Sequence, residues 1–198
     1  MPGLPTATST ALLQGLKQAD ATVWVDFTAR YRPIVVAYAR RLGLRPGDAE
    51  DVAQETLGAF AQAYREGRYE RDRGRLRAWL FGIASNTLRD HCRRGQRRAR
   101  VAGAPPPTGF LENLPDERTQ VDAWDEEWRE AVLRQALARV KGEVQAGTFE
   151  AFRLFAVEQQ PAAQVAARLS ITENAVFCAK QRVLRRLREL LADLEDSF

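Results

Sequence analysis

Asn174, Phe177, Lys180 and Gln181 lie near the C-terminal end on one face of a helical pattern, opposite its apolar seam. Side-chain amides donate and accept hydrogen bonds, so Asn and Gln can read base edges in a major groove. Guanidinium and ammonium groups hold phosphates. The surrounding stretch, residues 161–187 (PAAQVAARLSITENAVFCAKQRVLRRL), reads as two short amphipathic helices joined by a tight turn. Pro161 suits a first helical position, Thr172 suits an N-cap, and Val176, Ala179, Val183 and Leu187 form the apolar seam of the second helix. From Arg168 to Arg188 there are five Arg and one Lys against the single acid Glu173, an excess that phosphate affinity requires. A DNA-binding helix-turn-helix accounts for these features; a helical hairpin with a solvated charged face accounts for the pattern too. The turn carries Ser170 where such turns usually carry Gly, so a left-handed backbone there implies strain.

A second basic cluster comprises Arg89, Arg93, Arg94, Arg97, Arg98 and Arg100, with Asp90 the only acid among them. Asn86 and Asp90 stand four apart and share a helical face with this cluster. The Asn86 amide can both donate and accept, and a buried helix–helix hydrogen bond is one use for it. Further upstream, Glu50, Asp51, Gln54 and Glu55 cluster near a helix start, where acids favour the positive end of the dipole. His91 beside Cys92 is the only pair with metal or nucleophile chemistry, but a metal needs about four ligands and no second pair exists. No carboxylate cluster or His/Cys constellation points to an enzyme, and no metal or cofactor is expected.

Helical periodicity positions all these residues, and no period-2 strand pattern is present. Thr22–Leu42 predicts a helix burying Phe27, Tyr31, Ile34, Val35, Tyr38 and Leu42; a shorter pattern at Leu12–Lys17 precedes it. Asp48 is an N-cap candidate for a helix over Ala49–Arg65, with Val52, Leu57, Phe60 and Tyr64 inward. Glu66–Arg75 (EGRYERDRGR) reads as a charged loop, and Leu76–Arg94 as a helix with Trp79, Leu80, Ile83, Ala84 and Leu88 inward. Beyond Gly95 the composition turns to GAPPPTG, a tether by composition. A second helical block holds Trp124, Trp128, Val132, Leu133, Leu137 and Val140, then Phe149, Phe152, Leu154 and Phe155. The expected architecture is all-α, with two small helical domains on a flexible Pro-rich linker and a helix-turn-helix at the end. Its divisions are a disordered N-terminus at 1–10, a first domain at 11–96, the linker at 97–121 and a second domain at 122–198.

Composition sets the bounds. With 198 residues and 45% apolar content, two packed cores are affordable, and the net charge of +4 is modest for a nucleic-acid binder. Clustering of the cations into two patches says more than their total. The opening MPGLPTATST has neither a basic nor an apolar signal region, and the longest aliphatic stretch, Ile34–Ala39, is too short to span a bilayer. Two distant cysteines without a CxxC spacing fit reduced thiols, so a cytoplasmic location with no membrane partner is expected.

The order DAEDVAQETLGAF (Asp48–Phe60), RAWLFGIASNTLRDHCRR (Arg77–Arg94), linker and helix-turn-helix resembles the sigma factors of bacterial RNA polymerase, most closely the compact extracytoplasmic-function (group IV) type. The resemblance runs from about Thr22 to Leu191. It implies a factor that binds core RNA polymerase through the largest-subunit clamp and the flap, and that directs it to a two-part promoter. By the same resemblance Asp51, Gln54 and Glu55 contact the clamp. Trp79, Asn86, Arg89, Asp90, Arg93 and Arg94 then serve the opened −10 element, where a base is flipped out. Asn174, Phe177, Cys178, Lys180, Gln181, Arg182 and Arg185 serve the −35 duplex. Many members carry Arg or Lys where this chain has Phe177. An exposed Phe suits a thymine methyl or a sugar, and an inward Phe would close the core. The linker in relatives threads toward the polymerase channels, to which Asp116 and Glu117 would add acidic character; a plain tether is the reading from composition. Relatives are often held by an anti-sigma factor. The competing expectation is a stand-alone helix-turn-helix regulator that binds duplex DNA unaided.

Overall fold

A computed structural model of the chain describes residues 16, 18, 20–69, 76–101 and 114–195, without the side chains of 192–195. The described elements are all helical. They are α1 (Ala21–Arg41), α2 (Pro46–Arg65), α3 (Leu76–Val101), α4 (Glu117–Glu143) and α5 (Ala146–Phe152). A π-helical turn (Arg153–Val157), α6 (Ala162–Leu169) and α7 (Glu173–Glu195) follow. The chain divides into two compact units, one ending at Arg129 and the other beginning at Glu130.

In the first unit, α1 starts where the Asp20 carboxylate accepts hydrogen bonds from the Thr22 amide (2.8 Å) and hydroxyl (2.7 Å). Its buried face, Phe27, Tyr31, Ile34, Val35, Tyr38 and Ala39, follows the predicted period. It ends at Gly43, whose φ of 100° an L side chain would rarely adopt. α2 begins earlier than Asp48 because Pro46, with φ already helical and no amide to satisfy, takes the first turn. Asp48 therefore lies inside that turn instead of capping it, and pairs with Arg45 at 3.3 Å. α2 buries Val52, Ala53, Leu57 and Phe60, and α3 buries Leu76, Leu80, Ala84 and Leu88.

The core of this unit is aromatic. Phe27 lies 4.6 Å from Phe60 and 4.5 Å from Tyr31 between ring centroids, and Tyr31 lies 5.6 Å from Trp128. Trp124 stands edge-on to Tyr38 at 5.4 Å. Trp124 and Trp128 thus pack in the first unit, although the sequence places them in a second domain starting at 122. A buried polar clasp fixes the same segment. Gln120, 2% exposed, accepts from the Ser85 hydroxyl (3.1 Å) and the Tyr38 hydroxyl (3.3 Å) while its amide donates to the Pro115 carbonyl (2.7 Å). Arg41 pairs with Glu126 and Glu127, and Arg77 pairs with Asp125. The expected linker over 97–121 is correspondingly shorter: α3 continues through Gly95 to Val101, and Asp116 caps α4 by accepting from the Thr119 amide at 2.8 Å. Glycine inside a helix costs about 1 kcal/mol, too little to stop one. The expected N-terminal disorder, the Leu12–Lys17 pattern apart from Leu16, and residues 102–113 of the linker lie outside the described residues.

In the second unit the core is built from small and aliphatic side chains: Ala151, Leu154, Val165, Ala166, Val176 and Ala179, with Phe155, Ala162 and Leu169 packed against it. Small residues let α6 approach α7 closely. The α7 seam is buried as its spacing predicts, at Val176, Ala179, Val183 and Leu187, and continues to Leu190. Thr172 caps α7, its hydroxyl accepting from the Ala175 amide at 3.1 Å. Ser170 closes α6 at φ 53° and ψ 44°, the left-handed conformation anticipated for that turn.

Candidate functional site

On α2, burial alternates with exposure at helical spacing. Val52, Ala53 and Thr56 face inward, which leaves Asp51, Gln54 and Glu55 on one exposed face. Glu55 accepts a hydrogen bond from Arg94 at 2.5 Å, a pair in which both side chains stay about half exposed. Asp51 and Gln54 have no partner among the described residues. Residues assigned to two different contacts, Glu55 and Arg94, are thereby brought together.

On α3, Asn86, Asp90 and Arg93 form an exposed row on the side away from the buried Leu80, Ala84 and Leu88. The exposure of Asn86 excludes the buried helix–helix hydrogen bond. Asp90 pairs loosely with Arg93 at 3.6 Å. Arg89 is partly buried, and its charge acts on Tyr38 in the direction opposite to burial. Burial dominates, and pushes the Tyr38 hydroxyl up to about 12. Trp79 is half-buried between Phe60 and Tyr69, each 4.9 Å away. Tyr69 was not singled out from sequence; its signal was a lone aromatic ring in an otherwise charged run. Of the charged loop expected at Glu66–Arg75, Arg68 pairs with Glu66 at 2.6 Å, and Arg71, Arg73 and Arg75 lie outside the described residues.

His91 and Cys92 do not form a reactive pair. The His91 Nε2 lies 3.5 Å from Asp48, and burial, followed by the Asp48 charge, pushes the Cys92 thiol up to about 11. A thiol so disposed is a poor nucleophile near neutrality. Among the described residues no group of three His, Cys, Asp or Glu side chains could hold a metal, and no helix is long and apolar enough to cross a membrane.

On α7, Asn174, Phe177, Cys178 and Gln181 are exposed, as are Arg182 and Arg185; Lys180 is partly buried. Phe177 is 47% exposed and does not close the core. Its ring meets Phe155 edge-on at 5.3 Å, and the Lys180 ammonium lies 5.2 Å from the centre of that same Phe155 ring. Phe155 was legible only as one apolar residue of the second block. Arg186 does not share this face's freedom: it bonds Glu143 at 2.6 Å and Glu189 at 2.9 Å. Hydrogen bonds from Arg186 and then Arg139 hold the Glu143 carboxyl down at about 2.

In both units helices bury one face and present amides and cations on the other. Residues 27–98 match the family described as Sigma-70 region 2. Over 186 residues the chain is 30% identical to the ECF RNA polymerase sigma factor SigL of Mycobacterium tuberculosis, covering 93% of this chain and 97% of that protein, with the same figures in three strains. The solved structure of CnrH in complex with the cytosolic domain of CnrY is 23% identical, covering 92% of this chain and 96% of that one, with a TM-score of 0.36. The chain belongs to the extracytoplasmic-function sigma factors of RNA polymerase.

Proposed function

We propose that the chain confers recognition of a two-part promoter, with each unit taking a separate element. Asp51, Gln54 and Glu55 on α2 dock on Arg-rich surface of the polymerase clamp, where charge complementarity sets orientation. Glu55 has to exchange Arg94 for a polymerase partner, which costs little because a half-exposed pair contributes at most about 1 kcal/mol. Arg94, with Arg93 and Arg89, is then available to the phosphates of the opened strand.

Asn86 takes a base edge of the −10 element, and Trp79 supplies the ring beside it. Extruding a base costs a few kcal/mol, least where the strand is already open, and stacking and edge contacts recover that cost. In the second unit α7 enters the −35 duplex, with Arg182 and Arg185 on phosphates, while the unit engages the flap. No covalent step is required of any residue. An anti-sigma partner would act by covering one of these faces.

The observation that carries this reading is the exposed row Asn86, Asp90 and Arg93 on a helix whose opposite side is buried. Three of the six residues that the resemblance assigns to the −10 contact, Asn86, Asp90 and Arg93, lie on this row. Charge reversal tests the polymerase half. D51K/E55K is expected to abolish co-purification of core polymerase while the protein stays folded by circular dichroism. Undiminished capture by the double variant would remove the clamp assignment.

A further inference from the structure

We propose that the duplex element read by α7 is composed of A·T pairs, with Phe177 set against a thymine methyl and Asn174 and Gln181 on adenine edges. This deepens the −35 reading above and rests on it, since it concerns what the first turns of α7 select. A recognition helix reads bases chiefly through its N-terminal residues. The exposed residues there are the acid Glu173 and the uncharged Asn174, Phe177, Cys178 and Gln181, with no exposed cation before Arg182.

Guanine presents two acceptors in the major groove and is usually taken by a bidentate Arg or Lys. Lys180 is the only cation of α7 before Arg182, and its ammonium is turned to the Phe155 ring. Adenine presents one donor and one acceptor, which a neutral Asn or Gln amide matches. Thymine adds a methyl group, which an apolar surface matches.

Phe177 is held for that contact. Its ring is half exposed, yet Phe155 meets it edge-on at 86° between ring planes. Edge-to-face is a preferred aromatic arrangement, so the ring is ordered before DNA arrives and loses little freedom on binding. Phe155 itself sits in the π-helical turn Arg153–Val157, outside the two-helix motif, and packs on the core of the unit. It is a positioning residue: it orients Phe177 and occupies Lys180.

The test uses holoenzyme assembled from the full chain and bacterial core polymerase, initiating on templates with a randomised upstream duplex. A·T pairs should be enriched opposite the first turns of α7. Replacing an enriched thymine with deoxyuridine removes only the methyl, and should lower initiation about fourfold at one position, the effect of one buried methyl group. Phe177→Ala should make initiation indifferent to that exchange, and Phe177→Arg should shift enrichment there to guanine. Phe155→Leu should weaken the methyl dependence and Phe155→Tyr should restore it, whereas a merely structural role would leave the thymine-to-deoxyuridine ratio unchanged. Enrichment of guanine opposite these turns by the unaltered protein, or equal initiation on thymine and deoxyuridine templates, would overturn the inference while leaving the −35 reading intact. Initiation with no enriched upstream sequence would overturn both.

Discussion

The first unit fills its core with large rings, whereas the second packs mainly small and aliphatic side chains with Phe152 and leaves the Phe177 ring half exposed. Phe27, Tyr31, Tyr38, Phe60, Trp124 and Trp128 fill the space among long helices in one. Ala151, Val165, Ala166, Val176 and Ala179 line the crossing of short helices in the other. Large rings need cover from several directions, and part of that cover comes from the start of α4, remote in sequence from α1–α3. Small side chains let two helices cross closely, which fixes α7 and leaves Phe177 at its rim. The charges differ as well. Glu55 with Arg94 and Asp90 with Arg93 tie the proposed contact residues of the first unit to one another. Among the described residues, Arg182 and Arg185 in the second have no acidic partner. One surface must exchange partners to bind, while the other is ready.

The largest expected effect tests whether Trp124 belongs where its rings pack. Trp124→Ala removes a side chain only 1% exposed and should cost about 3–5 kcal/mol. Hydrogen exchange should rise in α1 and α3 with α6 and α7 unchanged; loss of protection in α6 and α7 instead would return Trp124 to the second unit.

Tyr38→Phe is smaller, about 1 kcal/mol at neutral pH, because Gln120 keeps its hydrogen bond from Ser85. Burial raises the Tyr38 hydroxyl to about 12 from its ordinary value of 10, so the fold favours the protonated form. That contribution is intact below pH 10 and is lost as pH climbs through 12. Cys92, raised from 9 to about 11, titrates in an overlapping window. The urea midpoint of the variant should therefore fall less steeply between those limits, without becoming flat.

Ser170→Gly relieves a left-handed backbone at φ 53° but also loosens the unfolded chain. A net gain of about 0.5 kcal/mol is expected, seen as a small rise in the Tm of the second unit. A loss would mean that the serine side chain stabilises the turn. Arg94→Ala should change stability least, by under about 0.5 kcal/mol, since the pair it breaks is half exposed. It should nonetheless reduce the salt slope of promoter binding by about 1, the signature of one lost phosphate contact.

The sequence made legible whatever one helix decides alone. The α1 face from Phe27 to Tyr38 and the α7 seam from Val176 to Leu187 are buried as their periods require. Thr172 caps its helix as its type suggests. What it did not disclose depends on choice of neighbour. Apolar spacing says that Trp124 and Trp128 are buried, and is silent on which unit buries them. Gln120 has polar chemistry, and only three-dimensional neighbours could show it 2% exposed with its amide and carbonyl both engaged. The start of α2 was misplaced by three residues because Asp48 is a good cap and Pro46 a better first turn. For Phe177 the sequence left two orientations open, and its half-exposed ring on Phe155 is a matter of packing beyond the motif.

The central claim is that two separate faces, one per unit, together direct polymerase to a promoter. Run-off transcription with core RNA polymerase on a promoter library tests it most directly. The account predicts initiation only when the protein is present, from templates sharing an upstream duplex element and a separate melted element, with Asn86→Ala lowering use of the melted element alone. Core-dependent initiation on no template, or initiation indifferent to both elements, would contradict it.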